Sequence, residues 1–223
     1  MKVVSWNCNG RFRDKFALLD TTYHADLYII QECENPLTCS NDKYRDWAKN
    51  IIWQGENKNR GLGIFSRDLT VTRLDYPNYY MDNYLPFQCR NYNFIGVWAK
   101  QNYIEDEVLY AMLNASKFNK KTIWMGDMNS SVNWNKEHGK RNHSLFNNFM
   151  GNVGLYSAYH GVTSEKQEQE SQPTFFLYRH LDKPFHIDYC YCNPAIVVNI
   201  SVGTPDIWLK NSDHMPLEIV LNV

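Results

Sequence analysis

The sequence has no apolar run near the roughly 18 residues a bilayer span requires, no C-x-x-C pair, no internal repeat, no low-complexity stretch and no surplus of basic charge. Each absence excludes something. No segment is a candidate transmembrane helix, and no amphipathic or polybasic anchor suggests a membrane partner. The cysteines at positions 8, 33, 39, 89, 190 and 192 lack both zinc-ligand and disulfide-framework spacing. Met1-Lys2-Val3-Val4 runs straight into polar Ser5, Trp6 and Asn7 rather than into a secretory leader. The expectation is therefore reduced thiols in a cytoplasmic protein, with no obligate protein partner evident. The charge balance, 23 Lys+Arg against 24 Asp+Glu, excludes a protein that grips long nucleic acid by neutralising many phosphates at once. Any phosphate chemistry must come from a local site.

What is present is a globular composition: 223 residues, 43% hydrophobic and 15% aromatic, enough for one domain over residues 1–223. Short β-branched and aromatic runs predict strands over 2–6, 26–30, 61–65, 94–98, 122–125, 174–178, 186–191, 196–202 and 217–221. Phe12, Phe16, Leu19 and Tyr23 share one helical face, and Ile104, Val108, Ala111, Ala115 and Phe118 another. The second helix carries Glu105, Asp106 and Glu107 in its first turn and Lys117, Lys120 and Lys121 near its end, matching the macrodipole. A third helix covers 143–150, and residues 130–142 and 164–172 read as long surface loops, the first basic and the second acidic. Helices come only between groups of strands, so strict βαβ alternation fails. An α+β sandwich of two packed, mostly antiparallel sheets flanked by helices fits better.

Polar residues recur where the strand patterns stop. Asn7-Cys8-Asn9-Gly10 follows the first, Gln31-Glu32 the second, and Gly126-Asp127-Met128-Asn129 ends the strand after the long helix. His186-Ile187-Asp188 lies in a later strand, and Ser212-Asp213-His214 precedes the last. Singly, each has an ordinary structural explanation: a turn, the first solvated residues, a strand histidine, a cap. Together they describe a polar site on the rim of a sheet sandwich.

In this order, Asn7, Gln31-Glu32, Gly126-Asp127-Met128-Asn129, His186-Ile187-Asp188-Tyr189 and Ser212-Asp213-His214-Met215-Pro216-Leu217 resemble the endonuclease/exonuclease/phosphatase superfamily. Gly61-Leu62-Gly63-Ile64-Phe65-Ser66 and Pro173-Thr174-Phe175 match its supporting segments. The resemblance implies a four-layer, deoxyribonuclease-I-like fold and a metal-dependent phosphoester hydrolase. It places Glu32 as the principal ligand to Mg²⁺ or Mn²⁺, with Asn7 beside it, Asn9 as an outer contact, and Asp213 and Asp127 as further ligands if a second ion binds. It makes Asp127 the group that orients or deprotonates the attacking water, Asn129 a phosphate holder, and His214 a phosphoryl-oxygen contact or the base, paired with Asp188. Which of Asp127 and His214 takes the proton is left open. One position departs from the pattern: Trp98 stands where the family places a phosphate-contacting Tyr or His, and Lys100 or Tyr103 would have to substitute for it.

Substrate choice falls to the loops. Lys136, His138, Lys140, Arg141 and His143 follow the Asp127 segment, and Arg179, His180 and Lys183 precede Asp188; both groups flank the site and suit neighbouring phosphates. Trp134, Phe175, Phe176 and Tyr178 are candidate stacking residues if exposed. The first expectation is a phosphodiesterase acting on nucleic acid. The second is a phosphatase on a small phosphorylated molecule or phosphoinositide. The third is a silent binding member, which would show losses among the seven principal site residues; all seven are present.

Overall fold

The computed structural model describes residues 1–223. In chain order it contains β1 (Lys2–Asn7), α1 (Phe16–Tyr23), β2 (Leu27–Cys33), α2 (Asp42–Trp47), β3 (Asn50–Asn57), β4 (Arg60–Ser66), β5 (Val71–Arg73), β6 (Tyr84–Cys89), β7 (Tyr92–Trp98), α3 (Ile104–Leu113) and β8 (Thr122–Asp127). There follow α4 (Asn135–His138), α5 (His143–Asn152), β9 (Tyr156–Ser157), α6 (Ala158–Thr163), β10 (Phe175–Phe176), β11 (Pro184–Phe185), β12 (Asp188–Cys192), β13 (Val197–Val202), α7 (Pro205–Trp208) and β14 (Leu217–Leu221). No helix is long and apolar enough to cross a membrane.

Two six-stranded sheets form, in the orders β13-β14-β1-β2-β4-β3 and β5-β6-β7-β8-β12-β9. Each has a single parallel pair, β1 with β2 and β7 with β8, and is otherwise antiparallel. The two parallel pairs are the places where a helix, α1 or α3, intervenes between paired strands, as a parallel connection requires.

Alternation along the strands builds the layers. Val3, Leu27, Ile29 and Ile64 of the first sheet meet Leu85, Phe87, Phe94, Ile123, Met125 and Cys190 of the second in a central core. The next residues along, Val4, Trp6, Tyr28 and Ile30, face outward onto Leu19, Tyr23, Tyr44 and Trp208. On the far side Ile95, Val97, Trp124, Tyr189 and Tyr191 pack against Ile104, Val108, Ala111, Phe146 and Met150 from α3 and α5. The order is helix, sheet, sheet, helix. Strands buried on both faces read as continuous apolar runs, so their ends were visible as the points where polarity begins.

Several expectations need correction. The strand over 174–178 is only Phe175–Phe176, because Tyr178 turns into a left-handed backbone (φ 55). The 12–23 stripe is a 3-10 turn at Phe12–Asp14 followed by α1, and the 104–118 stripe stops as α-helix at Leu113. The strand over 186–191 begins at Asp188. Strands β3, β5 and β6 were not anticipated: β3 and β5 are edge strands, and β6 contains Pro86.

Candidate active site

The site assembles where the ends of β1, β2, β8 and β12 meet the turn before β14. Asn7 ends β1 and is 3% exposed. Its amide nitrogen donates to Glu32 Oε1 at 3.3 Å and to Asp127 Oδ2 at 2.9 Å, so one neutral group joins carboxylates from both sheets. Glu32 sits in a β-bulge between Gln31 and Cys33 with a left-handed backbone (φ 62). A bulge inserts an unpaired residue and re-aims its side chain, which takes Glu32 out of the strand alternation.

Asp127 ends β8 and is fully buried. Its Oδ1 accepts from the Asn129 backbone N–H at 2.9 Å and its Oδ2 from the Asn129 amide at 3.1 Å. The Asn129 amide also donates to the Ala99 carbonyl at 2.9 Å, so it holds Asp127 in place and ties β8 to the end of β7. Its own backbone is left-handed (φ 45). Asp188 opens β12 directly across from Asp127 in the sheet register. Thr174 Oγ1 accepts from the backbone N–H groups of both Ile187 and Asp188 at 3.0 Å, fixing the strand's entry.

His214 stands between the two aspartates, its Nδ1 at 2.9 Å from Asp188 Oδ2 and its Nε2 at 3.9 Å from Asp127 Oδ2. Its backbone is pinned at both ends: its N–H donates to Ser212 Oγ and its carbonyl accepts from Trp6 Nε1. Burial disfavours the imidazolium, but Asp188 and then Asp127 outweigh it and push the imidazole up to about 10. Burial raises Asp127 to about 7, opposed by the charge of His214 and by the Asn7 hydrogen bond. The imidazole is therefore the protonated member of the pair at neutral pH.

The turns at either end of the chain are stitched together. Lys15 Nζ donates to the carbonyls of Cys8 (2.6 Å), Gly10 (2.8 Å) and Asn211 (2.6 Å), and Ser212 Oγ donates to the Asn7 carbonyl at 2.7 Å. Asn9 Nδ2 donates to Asp213 Oδ1 at 3.0 Å. Asp213 is thus placed on the Asn9 side of the rim, outside the tight group of Asp127, Asp188 and His214, whose ligand-capable atoms lie within 4.8 Å of one another.

The Glu32 and Asp127 carboxylates are oxygen donors of the kind a hard divalent cation such as Mg²⁺ or Mn²⁺ takes, whereas Asn7 turns its amide nitrogen to them and its Oδ1 accepts from the Asn9 backbone N–H at 3.1 Å. The two carboxylates share that one neutral amide, and of the two only Glu32 is also hydrogen-bonded to a basic side chain, Arg60. His214 is less suited to ligation, since its Nδ1 is committed to Asp188.

Other expected residues fall farther out. Trp98 lies beside Asp127 in the parallel register, 8% exposed, with Lys100 Nζ 4.2 Å from its ring centroid. Lys100 also pairs with Glu56 at 3.3 Å, and Arg141 with Glu105 on α3 at 3.4 Å, whereas Lys140 is exposed. Tyr103 is exposed at the start of α3. Arg179 Nη1 donates to the Lys210 carbonyl, and His180 lies 3.9 Å from Asp182. Two expectations are overturned. His143 is fully buried, bonded to Ser130 and Tyr191, and Phe176 is 4% exposed in the core; neither reaches a substrate.

Half-buried aromatics do line the rim. Phe175 lies 4.7 Å from the His214 ring, Phe185 6.4 Å from Phe175, and Trp134 5.1 Å from Phe185. Sequence reading missed Lys15, which joins the turns, and Arg60, which forms an ion pair with Glu32. Arg60 immediately precedes the Gly61 at which the strand had been expected to begin, and only the pairing of β2 with β4 brings it near Glu32.

A family model described as "Endonuclease/Exonuclease/phosphatase family" matches residues 4–214. Comparison with the curated proteins finds no match. Among solved structures, the chain resembles an AP endonuclease from Archaeoglobus fulgidus (TM-score 0.77, 16% identity, both chains fully covered). It also resembles the 3′ phosphatase NExo from Neisseria, bound to a product DNA hairpin (TM-score 0.72, 16% identity, both chains fully covered). A third similar structure is the catalytic domain of APE2 from Xenopus laevis (TM-score 0.71, 14% identity, covering 99% of this chain and 91% of that one). These likenesses show the shared fold: two mixed sheets flanked by helices.

Proposed function

The chain belongs to the endonuclease/exonuclease/phosphatase family of phosphoester hydrolases, and from that premise we propose that it is a divalent-metal-dependent phosphodiesterase acting on nucleic acid. The observation that carries the reading is His214, oriented by Asp188 through Nδ1 while its Nε2 stays 3.9 Å from Asp127, too far for the two to satisfy each other. Both groups are therefore available to a third partner. Glu32 would hold the cation together with Asn7, whose amide would turn its oxygen toward it, which leaves Asp127 free as a base. When bound, it stabilises charge on the phosphoryl and leaving oxygens.

The chain's own residues do the rest. Asp127, raised to about 7 by burial, is poised as a base near neutral pH and takes a proton from the attacking water. The water oxygen forms a bond to phosphorus, the ester P–O bond breaks, the leaving oxygen takes a proton from solvent, and Asp127 returns its own proton to solvent. His214, held protonated, donates from Nε2 to a non-bridging phosphoryl oxygen as charge grows there. Asp188 keeps the imidazole oriented and charged. Asn129 positions Asp127, with its amide already engaged by Asp127 and the Ala99 carbonyl.

The row Phe175, Phe185 and Trp134 favours nucleic acid over a small phosphate ester, since half-exposed rings beside the catalytic imidazole offer a surface for a base or sugar. Lys140, Lys183 and His180 are exposed on the flanking loops and suit neighbouring phosphates. Similar solved structures include proteins described as an AP endonuclease and a 3′ phosphatase, which supports DNA as the polymer and keeps a terminal phosphate as the second reading. A substrate panel decides: single-stranded DNA, duplex DNA, abasic duplex, 3′-phosphorylated duplex, RNA and phosphoinositide, each with Mg²⁺ or Mn²⁺. Cleavage of a polymer backbone supports the proposal. Turnover confined to the 3′-phosphate or the phosphoinositide replaces it with a phosphatase.

A further inference from the structure

Glu32 is the intended cation ligand, yet its carboxylate already has a cation. Arg60 donates to Glu32 Oε2 through Nε at 3.0 Å and through Nη2 as well, so two N–H groups converge on one oxygen, while Oε1 takes the Asn7 amide at 3.3 Å. The two partners differ in freedom. The Glu32 side chain is 15% exposed and sits in a bulge with left-handed backbone, whereas the Arg60 side chain is 53% exposed at the start of β4. Arg60 is thus the partner that can swing away. A guanidinium and a divalent cation compete for the same carboxylate, because each places positive charge at Oε2 and repels the other at contact distance.

We propose that Arg60 is an exchangeable counter-ion. It neutralises Glu32 until a divalent cation takes that carboxylate, then turns outward to bind a phosphate oxygen of the nucleic-acid substrate. This rests on the assignment of Glu32 as the cation ligand. The displaced side chain is suited to its second role, since a guanidinium presents several N–H donors in a planar fork that matches phosphate geometry. The exchange couples the two binding events. Loading the cation frees the group that holds the substrate, and by reciprocity bound substrate raises affinity for the cation. A nearly neutral protein thereby gains positive charge at its rim only when the site is equipped to use it.

The test measures Mn²⁺ binding by electron paramagnetic resonance, without substrate, for wild type, Arg60→Ala, Arg60→Lys and Glu32→Gln, alongside KM and kcat on an oligonucleotide. Removing the competing ion pair should tighten Mn²⁺ binding of Arg60→Ala about threefold to fivefold, the scale of a partly exposed pair. Loss of a charge-assisted phosphate contact should raise KM about tenfold, with kcat little changed. Arg60→Lys should restore Mn²⁺ competition more fully than it restores KM, because lysine keeps the charge and loses the fork. Unchanged or weaker Mn²⁺ binding by Arg60→Ala, or an unchanged KM, overturns the exchange. Glu32→Gln separates the two ideas. If it weakens Mn²⁺ binding while Arg60→Ala does nothing, the exchange fails and the ligand assignment stands; if it leaves Mn²⁺ binding intact, the ligand assignment fails and the exchange with it.

Discussion

Asp127 and Asp188 are direct cross-strand partners at the end of the second sheet, two buried carboxylates facing each other where like charges repel. His214 makes the arrangement tolerable: its ring nitrogens face one carboxylate each, at 3.9 and 2.9 Å. The three groups act as a unit, and the pH behaviour of the enzyme should show it.

The pH profile of kcat/KM should be bell-shaped. Activity rises as Asp127 ionises around its value of about 7 and falls as His214 loses its proton around about 10. Asp188→Asn removes the leading charge that holds His214 protonated, so the alkaline limb should move to lower pH. An alkaline limb unmoved in Asp188→Asn would show that another group sets it.

Acid should destabilise the fold through histidines outside the site. Burial pushes His143 down to about 3 and His186 down to about 4. A depressed histidine is neutral in the folded protein but protonated in the unfolded chain below its ordinary value near 6.5. Their stabilising contribution is present above that value and is lost as pH falls toward 4. Each should contribute a slope of about 1.4 kcal/mol per pH unit through that window. Urea unfolding between pH 7 and 5 should give a shallower dependence for His143→Gln than for wild type; equal slopes would contradict the account.

Gly126 shows how a motif residue acts through backbone packing. A Cβ there would lie 2.1 Å from the Val97 carbonyl oxygen on the neighbouring strand. Only glycine lets β7 and β8 approach closely enough to set Trp98 beside Asp127. Gly126→Ala should cost about 1–3 kcal/mol by overpacking and lower activity by displacing Asp127. Thermal unfolding and turnover measured together check this, and a variant with wild-type stability would refute it.

The basic loop separates into two roles. Arg141 already pairs with Glu105, whereas Lys140 is exposed. Lys140→Ala should weaken oligonucleotide binding and reduce the salt slope by about one counterion, with a smaller effect for Arg141→Ala. Fluorescence anisotropy across a salt series distinguishes them.

Much of this arrangement was legible because the central strands bury both faces. Val3-Val4 and Ile29-Ile30 read as continuous apolar runs, and the polar residues that end them, Asn7, Glu32 and Asp127, stood out. The partnership of His214 with Asp188 followed from the family pattern. What stayed hidden depends on pairing across the chain. Arg60 meets Glu32 only through the antiparallel register of β2 and β4, and Lys15 reaches Asn211 only because β14 returns beside β1. Burial was equally illegible for His143, which was grouped with the basic residues before it as a phosphate contact, while its ring packs against Tyr189 in the interior.

The central claim is tested most directly by single-turnover cleavage of a labelled oligonucleotide with Mg²⁺, with Mg²⁺ plus excess EDTA, and with the Asp127→Asn and His214→Ala variants, folding confirmed by circular dichroism. Cleavage that requires the cation and falls by about a hundredfold or more in both folded variants, the scale of losing a general base or a charge-stabilising donor, is the predicted result. Wild-type rates in EDTA, or undiminished rates in both variants, would contradict it.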